Sequence, residues 1–262
     1  MEVAGKVIVV TGGAVGIGRA LVECFAKAGA KHVVVVDLDD AAANAVAASV
    51  HGTGRRVDVA NAAAVAALVE ETEQTIGPID LFCSNAGILP LDREPNNAAS
   101  TPEADWTRAW QVNVMAHVHA AAALLPRMIA RKRGYFLQTV SAAGLLSQIG
   151  SAAYSTTKHA AIGFAESLAI THRDHGIKVS CLCPQAVQTP MIAEATRTAT
   201  LNGADIDGVI TPEAVAEATI EGLAKESFLI LPHPKVATYI VNKAENYDRW
   251  LGGMAKLRRS LP

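Results

Sequence analysis

A doubly wound α/β fold, with about seven parallel strands and helices on both faces of one sheet, is what this chain predicts. Three observations carry the prediction. Short β-branched runs alternate with helix-length segments along all 262 residues. The runs are continuously apolar rather than alternating, as in a parallel sheet covered on both faces. The first run flows into a glycine-rich turn, Thr11-Gly12-Gly13-Ala14-Val15-Gly16-Ile17-Gly18. A single domain spanning residues 1–262 suits a sheet of this size.

Each element follows from local chemistry. Lys6–Val10 is the first strand, and Arg19–Gly29 carries the first helix and its glycine stop. His32–Asp37 repeats the strand signal as four valines and ends in a carboxylate. Asp40–Val50 reads as an alanine-rich helix and Arg56–Val59 as the third strand. A helix then runs to about Ile76 and meets the breaker Gly77-Pro78. Ile79–Ser84 is the fourth strand. After a polar loop, a long helix is expected from Pro102, capped by Thr101, toward Arg133, bent at Pro126. Tyr135–Val140, the helix Ser151–His175, Ile177–Cys183 and Phe228–Leu231 complete the alternation. The long connection Thr189–Ile210 is polar and weakly periodic, and reads as a lid or as a plain surface loop. From Lys235 to Arg258 apolar residues recur at helical spacing. That helix is expected to pack on its own subunit or a neighbour, with a membrane contact as the alternative.

Composition narrows the function. Half of the residues are hydrophobic, 18% are charged and the net charge is −2, so nothing suggests a nucleic-acid partner. The four cysteines form no C-x-x-C and three lie in apolar strands, which points to reduced packing residues rather than a metal site. Val7–Val10 is too short an apolar run for a signal peptide, and no stretch approaches the ~20 residues of a membrane span. A cytoplasmic protein without membrane contact is expected.

The motifs point to a dinucleotide and a proton-transfer site. Backbone N–H groups at a glycine turn and the following helix terminus suit a pyrophosphate. Asp37 ends the second strand about 20 residues beyond that turn, where a carboxylate can hold the adenosine ribose. It would repel a 2′-phosphate, and its neighbours Leu38, Asp39 and Asp40 include no arginine, which favours NAD over NADP. Tyr154 and Lys158 stand four apart on a helix and so share one face. Ser141 lies thirteen positions before Tyr154, at the end of a strand. A free tyrosine titrates near ~10, and bringing it toward neutrality requires about 4 kcal/mol. One ammonium about 4 Å away, at an effective dielectric near 20, supplies on the order of 4 kcal/mol. Lys158, helped by the positive nicotinamide ring, is therefore expected to suffice.

Taken together these residues resemble the short-chain dehydrogenase/reductase family over essentially the whole chain. Thr11, Gly12, Gly16 and Gly18 match its glycine signature, with Val15 and Ile17 between them. Asn85-Ala86-Gly87 matches its fourth-strand motif, and Asn113, Ser141, Tyr154 and Lys158 match its catalytic tetrad. The resemblance implies a Rossmann fold with strand order 3-2-1-4-5-6-7. It also implies Asp58 and Val59 at the adenine, Val187 and Thr189 near the nicotinamide carboxamide, and Lys158 on the nicotinamide ribose. Asn113 would help hold a relay water. Assembly as a dimer or tetramer through the Pro102–Arg133 and Ser151–His175 helices is likewise implied. Pro184 is followed by Gln185 where the family usually has glycine, so Gln185 is expected to shape specificity.

The segments expected around a substrate supply Ile88, Leu89, Leu91, Leu145, Leu146, Ile149, Met191 and Ile192, with Gln148 and Gln185 as polar contacts. Among these, Leu145, Gln148, Gln185 and Met191 are the principal candidates. Arg93, Glu194 and Arg197 are the few charges there. An apolar pocket suits a hydrophobic secondary alcohol and its ketone. Two other readings compete: another reaction on the same scaffold, such as epimerisation or dehydration, and a non-catalytic dinucleotide sensor.

Overall fold

A computed structural model of the chain describes residues 1–94, 96–193, 203 and 205–261. Seven strands form one parallel sheet in the order β3-β2-β1-β4-β5-β6-β7. They are β1 (Val7–Thr11), β2 (His32–Asp37), β3 (Thr53–Arg56), β4 (Leu81–Ser84), β5 (Gly134–Thr139), β6 (Ile177–Leu182) and β7 (Leu229–Ile230). The helices are α1 (Gly16–Lys27), α2 (Asp40–Ser49), α3 (Ala62–Thr75), α4 (Glu103–Trp110), α5 (Ala116–Ala130), α6 (Ala152–His172), α7 (Pro212–Ala224), α8 (Lys235–Glu245) and α9 (Tyr247–Ser260).

The sheet's two faces carry separate cores, because successive side chains on a strand point to opposite sides. Ile8, Val10, Val33 and Val35 pack with α1, α2 and α7 on one face. Val9, Val34, Val36 and Phe82 pack with α3, α5 and α6 on the other. The valine runs are buried on both sides, which explains their lack of alternation. At the crossover between β1 and β4 the chain leaves in opposite directions, and a crevice opens there beyond the strands' carboxyl ends.

Four boundaries differ from expectation. The third strand is Thr53–Arg56, ending where Arg56–Val59 was expected to begin. Its polar TGRR sequence serves at the sheet edge, where only β2 pairs with it. The helix expected to run from Pro102 to Arg133 is interrupted by a π-helical turn, Gln111–Met115, while Pro126 sits inside α5. Thr101 does not cap α4; its hydroxyl donates to Asp92 Oδ1 at 2.8 Å, and Pro102 occupies the cap position. The C-terminal segment is two helices, broken at Asn246, whose side chain accepts from Arg249 N at 2.9 Å and caps α9.

The Thr189–Ile210 connection is closed at its base. Val187 and Ile210 form a parallel bridge, and Gln188 N donates to Ile210 O at 2.9 Å. Glu194, Arg197 and the middle of this connection lie outside the described residues. Among the described residues no helix is long and apolar enough to cross a membrane, and no group of three or more His, Cys, Asp or Glu is arranged to hold a metal ion.

Candidate active site

The crevice is a cavity of about 300 Å³. Gly12, Val15, Gly16, Ile17, Gly18, Asp37, Leu38, Asp58, Val59, Asn85, Ala86, Gly87, Tyr154, Lys158, Pro184, Val187 and Thr189 all line it. The residues present fit a dinucleotide. A Cβ on Gly18 would lie 1.9 Å from Gly12 O, so the turn closes only with glycine there. Gly16 has φ of +54°, and a Cβ on it would stand 3.1 Å from Thr189, filling the approach to the helix. Val15 provides no side-chain cap to α1, which leaves the helix's first amides for an anion.

Side chains brace this cradle from behind. Thr11 Oγ1 accepts from Asn85 N at 2.9 Å, and Asn85 Nδ2 donates to Thr11 O and Gly12 O at 3.0 and 3.2 Å. Asn85 thus ties the glycine turn to the end of β4. Asp37 Oδ2 accepts from Ala14 N at 3.1 Å and Oδ1 from Leu38 N at 2.8 Å. These bonds aim the carboxylate along the cavity edge. Arg108, absent from the sequence reading, also lines the cavity and pairs with Asp58 at 3.3 Å. Nothing in the local sequence connects it to Asp58, fifty positions earlier.

The tetrad gathers where β5 meets α6. Ser141 follows β5 with φ 125° and ψ 153°, a backbone region costing on the order of 1–3 kcal/mol for a residue other than glycine. Its hydroxyl accepts from Ala143 N at 3.1 Å, donates to Pro184 O at 3.4 Å, and engages the Tyr154 phenol. Lys158 is buried and donates to Thr139 O at 3.1 Å, with Nζ 5.5 Å from the Tyr154 ring centre. Asn113 lies in the π turn, fully buried. Its Oδ1 accepts from Ile88 N at 2.9 Å, and its Nδ2 donates to Ile88 O at 3.0 Å and Thr157 Oγ1 at 3.1 Å. It joins the loop after β4 to α6 and does not line the cavity.

In the protein alone, burial dominates the electrostatics of the site. Burial raises the Tyr154 phenol above its ordinary value, with the Ser141 bond only partly opposing it. Burial also pushes Lys158 down to about 8. The same enclosure desolvates both charges, and the positive nicotinamide ring is the further charge on which a lowered phenol depends. Beside the tetrad His117 is 1% exposed on α5. Burial first, then the Lys158 ammonium, lower it to about 3, against a weak offset from the Asn113 carbonyl. Among the described residues neither ring nitrogen has a hydrogen bond of ordinary geometry.

A second cavity of about 220 Å³ adjoins the first, and Ser141, Tyr154, Gln185, Met191 and Ile192 line both. Its remaining wall is mostly apolar, from Leu89, Leu91, Ala142, Ala143 and Leu146, with Ser147 and Gln148 as polar members. Leu145 is a correction. The 3-10 turn Ala142–Gly144 shifts the phase, so Leu146 lines the cavity while Leu145 packs into the cores. Ile149 is also absent from the lining, and Ile88 lines the first cavity instead. The far wall comes from the C-terminal helices: Tyr239 of α8 and Trp250, Met254 and Leu257 of α9. Lys243 fastens α8 there, donating to the carbonyls of Leu145 and Leu146 at 2.8 and 3.1 Å. The apolar face of this segment was visible in the sequence, but its destination was not.

A parallel sheet of this order, a glycine cradle and a Ser-Tyr-Lys group lining the cavity define a class of dinucleotide-dependent oxidoreductase. Comparison with known proteins agrees: residues 6–200 match the short chain dehydrogenase family. The chain belongs to the short-chain dehydrogenase/reductase family and is an oxidoreductase of that family. It is 35% identical over 236 residues to 1-deoxy-11-beta-hydroxypentalenate dehydrogenase of Streptomyces exfoliatus, covering 88% of this chain and 84% of that one. It is 37% identical over 201 residues to the sex determination protein tasselseed-2 of Zea mays, covering 74% of this chain but only 58% of that protein's length. A short chain dehydrogenase/reductase from Burkholderia phymatum, solved in complex with NAD, superposes with a TM-score of 0.83 at 29% identity, covering 95% of this chain and 96% of that one.

Proposed function

We propose that this protein transfers hydride between NAD(H) and an apolar secondary alcohol or its ketone, with Tyr154 as the group that takes or returns the alcohol proton. The observation that carries the reading is the meeting of two cavities at Ser141 and Tyr154, one shaped for a dinucleotide and one apolar. A bound nicotinamide supplies the carbon that accepts or gives hydride. The glycine turn from Gly12 to Gly18 would hold its pyrophosphate, Asp37 and Leu38 the adenosine ribose, and Asp58 and Val59 the adenine. Ala86 and Gly87 would lie beneath it, Lys158 would hold the second ribose, and Pro184, Val187 and Thr189 would border the carboxamide. Ser141 would hold the substrate oxygen and stabilise alkoxide charge. Asn113 acts from one step back, because its side chain is spent on Ile88 and Thr157.

The relative from Streptomyces exfoliatus is named as the dehydrogenase of a hydroxypentalenate, which supports oxidation at a hydroxyl-bearing carbon. The test is NADH absorbance at 340 nm across a panel of alicyclic, aryl and aliphatic secondary alcohols. Reduction of NAD⁺ with the apolar members is expected; no NADH with any member, and no NADH oxidation with the matching ketones, would sink the reading.

The choice of NAD over NADP rests on Asp37, and among the described residues the one arginine lining the cavity, Arg108, is already paired with Asp58. Removing a carboxylate that receives two ribose hydroxyls sacrifices charge-assisted bonds of roughly 1.5–3 kcal/mol each. Asp37→Ala should therefore lower the ratio of kcat/KM for NAD to that for NADP by at least about tenfold. An unmoved ratio removes Asp37 from that role.

A further inference from the structure

The two C-terminal helices close the apolar cavity in different ways. α8 is anchored: Val236 is fully buried, Lys243 donates to the carbonyls of Leu145 and Leu146, and Tyr239 OH donates to Asp207 Oδ1 at 3.0 Å. α9 has no buried residue. Its apolar residues Trp250, Met254 and Leu257 share one face by their spacing, and all three line the cavity. Trp250 packs against the small cluster that contains Leu146 and Val236, and a Cβ on Gly203 would stand 3.2 Å from Leu257. Between these contacts the face looks onto a space of about 220 Å³. A helix of 14 residues is marginal alone and draws its stability from the face it buries. Here that face is incompletely buried.

The ends of α9 are tied and its middle is weak. One extended residue, Asn246, separates it from α8 and caps it. Near its other end Arg258 donates to Asn96 Oδ1. Between Trp250 and Met254 stand Gly252 and Gly253, both exposed. Neither has a positive φ, and a Cβ on either would meet nothing within 4 Å. No turn or close approach requires glycine there, and alanine would fit. Each glycine lowers the helix's formation constant about fivefold relative to alanine.

We propose that α9 is a lid hinged at Asn246, which unwinds at Gly252-Gly253 to admit substrate and re-forms on the substrate's apolar body, so that the enzyme favours bulky alicyclic alcohols over small ones. This rests on the hydride-transfer reading above and narrows its substrate class. A body that fills the cavity completes the burial of Trp250, Met254 and Leu257, and the gain grows with the apolar area removed from water. A small alcohol held at Ser141 and Tyr154 leaves the space under the helix unfilled. Binding of a bulky ligand and ordering of α9 therefore favour each other reciprocally. The bonds of Lys243 keep α8 in place, which confines the motion to α9.

Hydrogen exchange of the α9 amides, read by mass spectrometry, tests this. In the free protein α9 should exchange at least about tenfold faster than α5. Saturating 1-decalone together with NAD⁺, a pair that cannot react, should slow α9 at least about tenfold, while acetone with NAD⁺ should leave it within about twofold. Replacing both glycines, Gly252→Ala with Gly253→Ala, should slow α9 exchange in the free protein about tenfold or more and slow release of 1-decalone at least about fivefold. Exchange in α9 as slow as in α5, equal protection by acetone, or an unchanged release rate in the double variant overturns the lid. Protection of α9 by 1-decalone without turnover of any alcohol retires the proposed reaction and sustains the lid, whereas turnover without protection does the reverse.

Discussion

Replacing Tyr154 by phenylalanine is expected to lower kcat by about 10³-fold or more and leave NAD affinity within about twofold, since general acid–base groups contribute ~10²–10⁴ in rate. The ring is retained, so the wall between the two cavities keeps its shape. What is lost is the hydroxyl that Ser141 engages. The pH dependence sharpens the test. Burial holds the phenol above its ordinary value in the protein alone. Oxidation of the alcohol should therefore accelerate with rising pH as the phenolate fraction grows, and bound positive charge should shift that limb to lower pH. The Tyr154→Phe protein should show residual turnover without the limb. Equilibrium NAD binding and a pH–rate profile measure both; turnover near the wild-type level would remove Tyr154 from proton transfer.

His117 is expected to make the fold acid-labile. Its folded pKa is lowered to about 3 from an ordinary value of 6.5. Below about 6.5 the unfolded chain takes up a proton that the folded protein refuses, so this contribution to stability falls as pH decreases. The loss grows until the folded pKa is reached. Between pH 7 and pH 4 the expected loss is about 3 kcal/mol. The imidazole is 1% exposed, so solvent screening offers little relief. Urea unfolding of wild type and His117→Leu at several pH values checks this: the stability difference should shift in favour of the leucine protein by that amount on acidification. A difference independent of pH would show that the imidazole reaches a proton acceptor in the fold.

The sequence announced the sheet because its central strands are buried on both faces, and four consecutive valines leave few other placements. It announced the cradle because glycine is required where a Cβ would strike Gly12 O. It missed features whose cause lies in distant partners. Thr53–Arg56 has no strand-like hydrophobicity, and it pairs because β2 offers a free edge. The π turn around Asn113 has no mark in QVNVM, whereas Pro126, the conspicuous breaker, is tolerated inside α5. The break between α8 and α9 was legible in principle: Asn246 followed by Asp248 is a helix-start signal. Leu145 turns from the cavity while Leu146 stays in it, because a turn of 3-10 helix alters the phase that a strand or α-helix would set.

The bridge between Val187 and Ile210 has a consequence for how such a protein diversifies. The connection begins and ends at two positions locked side by side beyond the sheet, so whatever is spelled between them inherits the same anchorage. Insertions or exchanges in that interval can remodel the entrance without disturbing the strands beneath. Selectivity and reaction chemistry can then drift on separate evolutionary clocks.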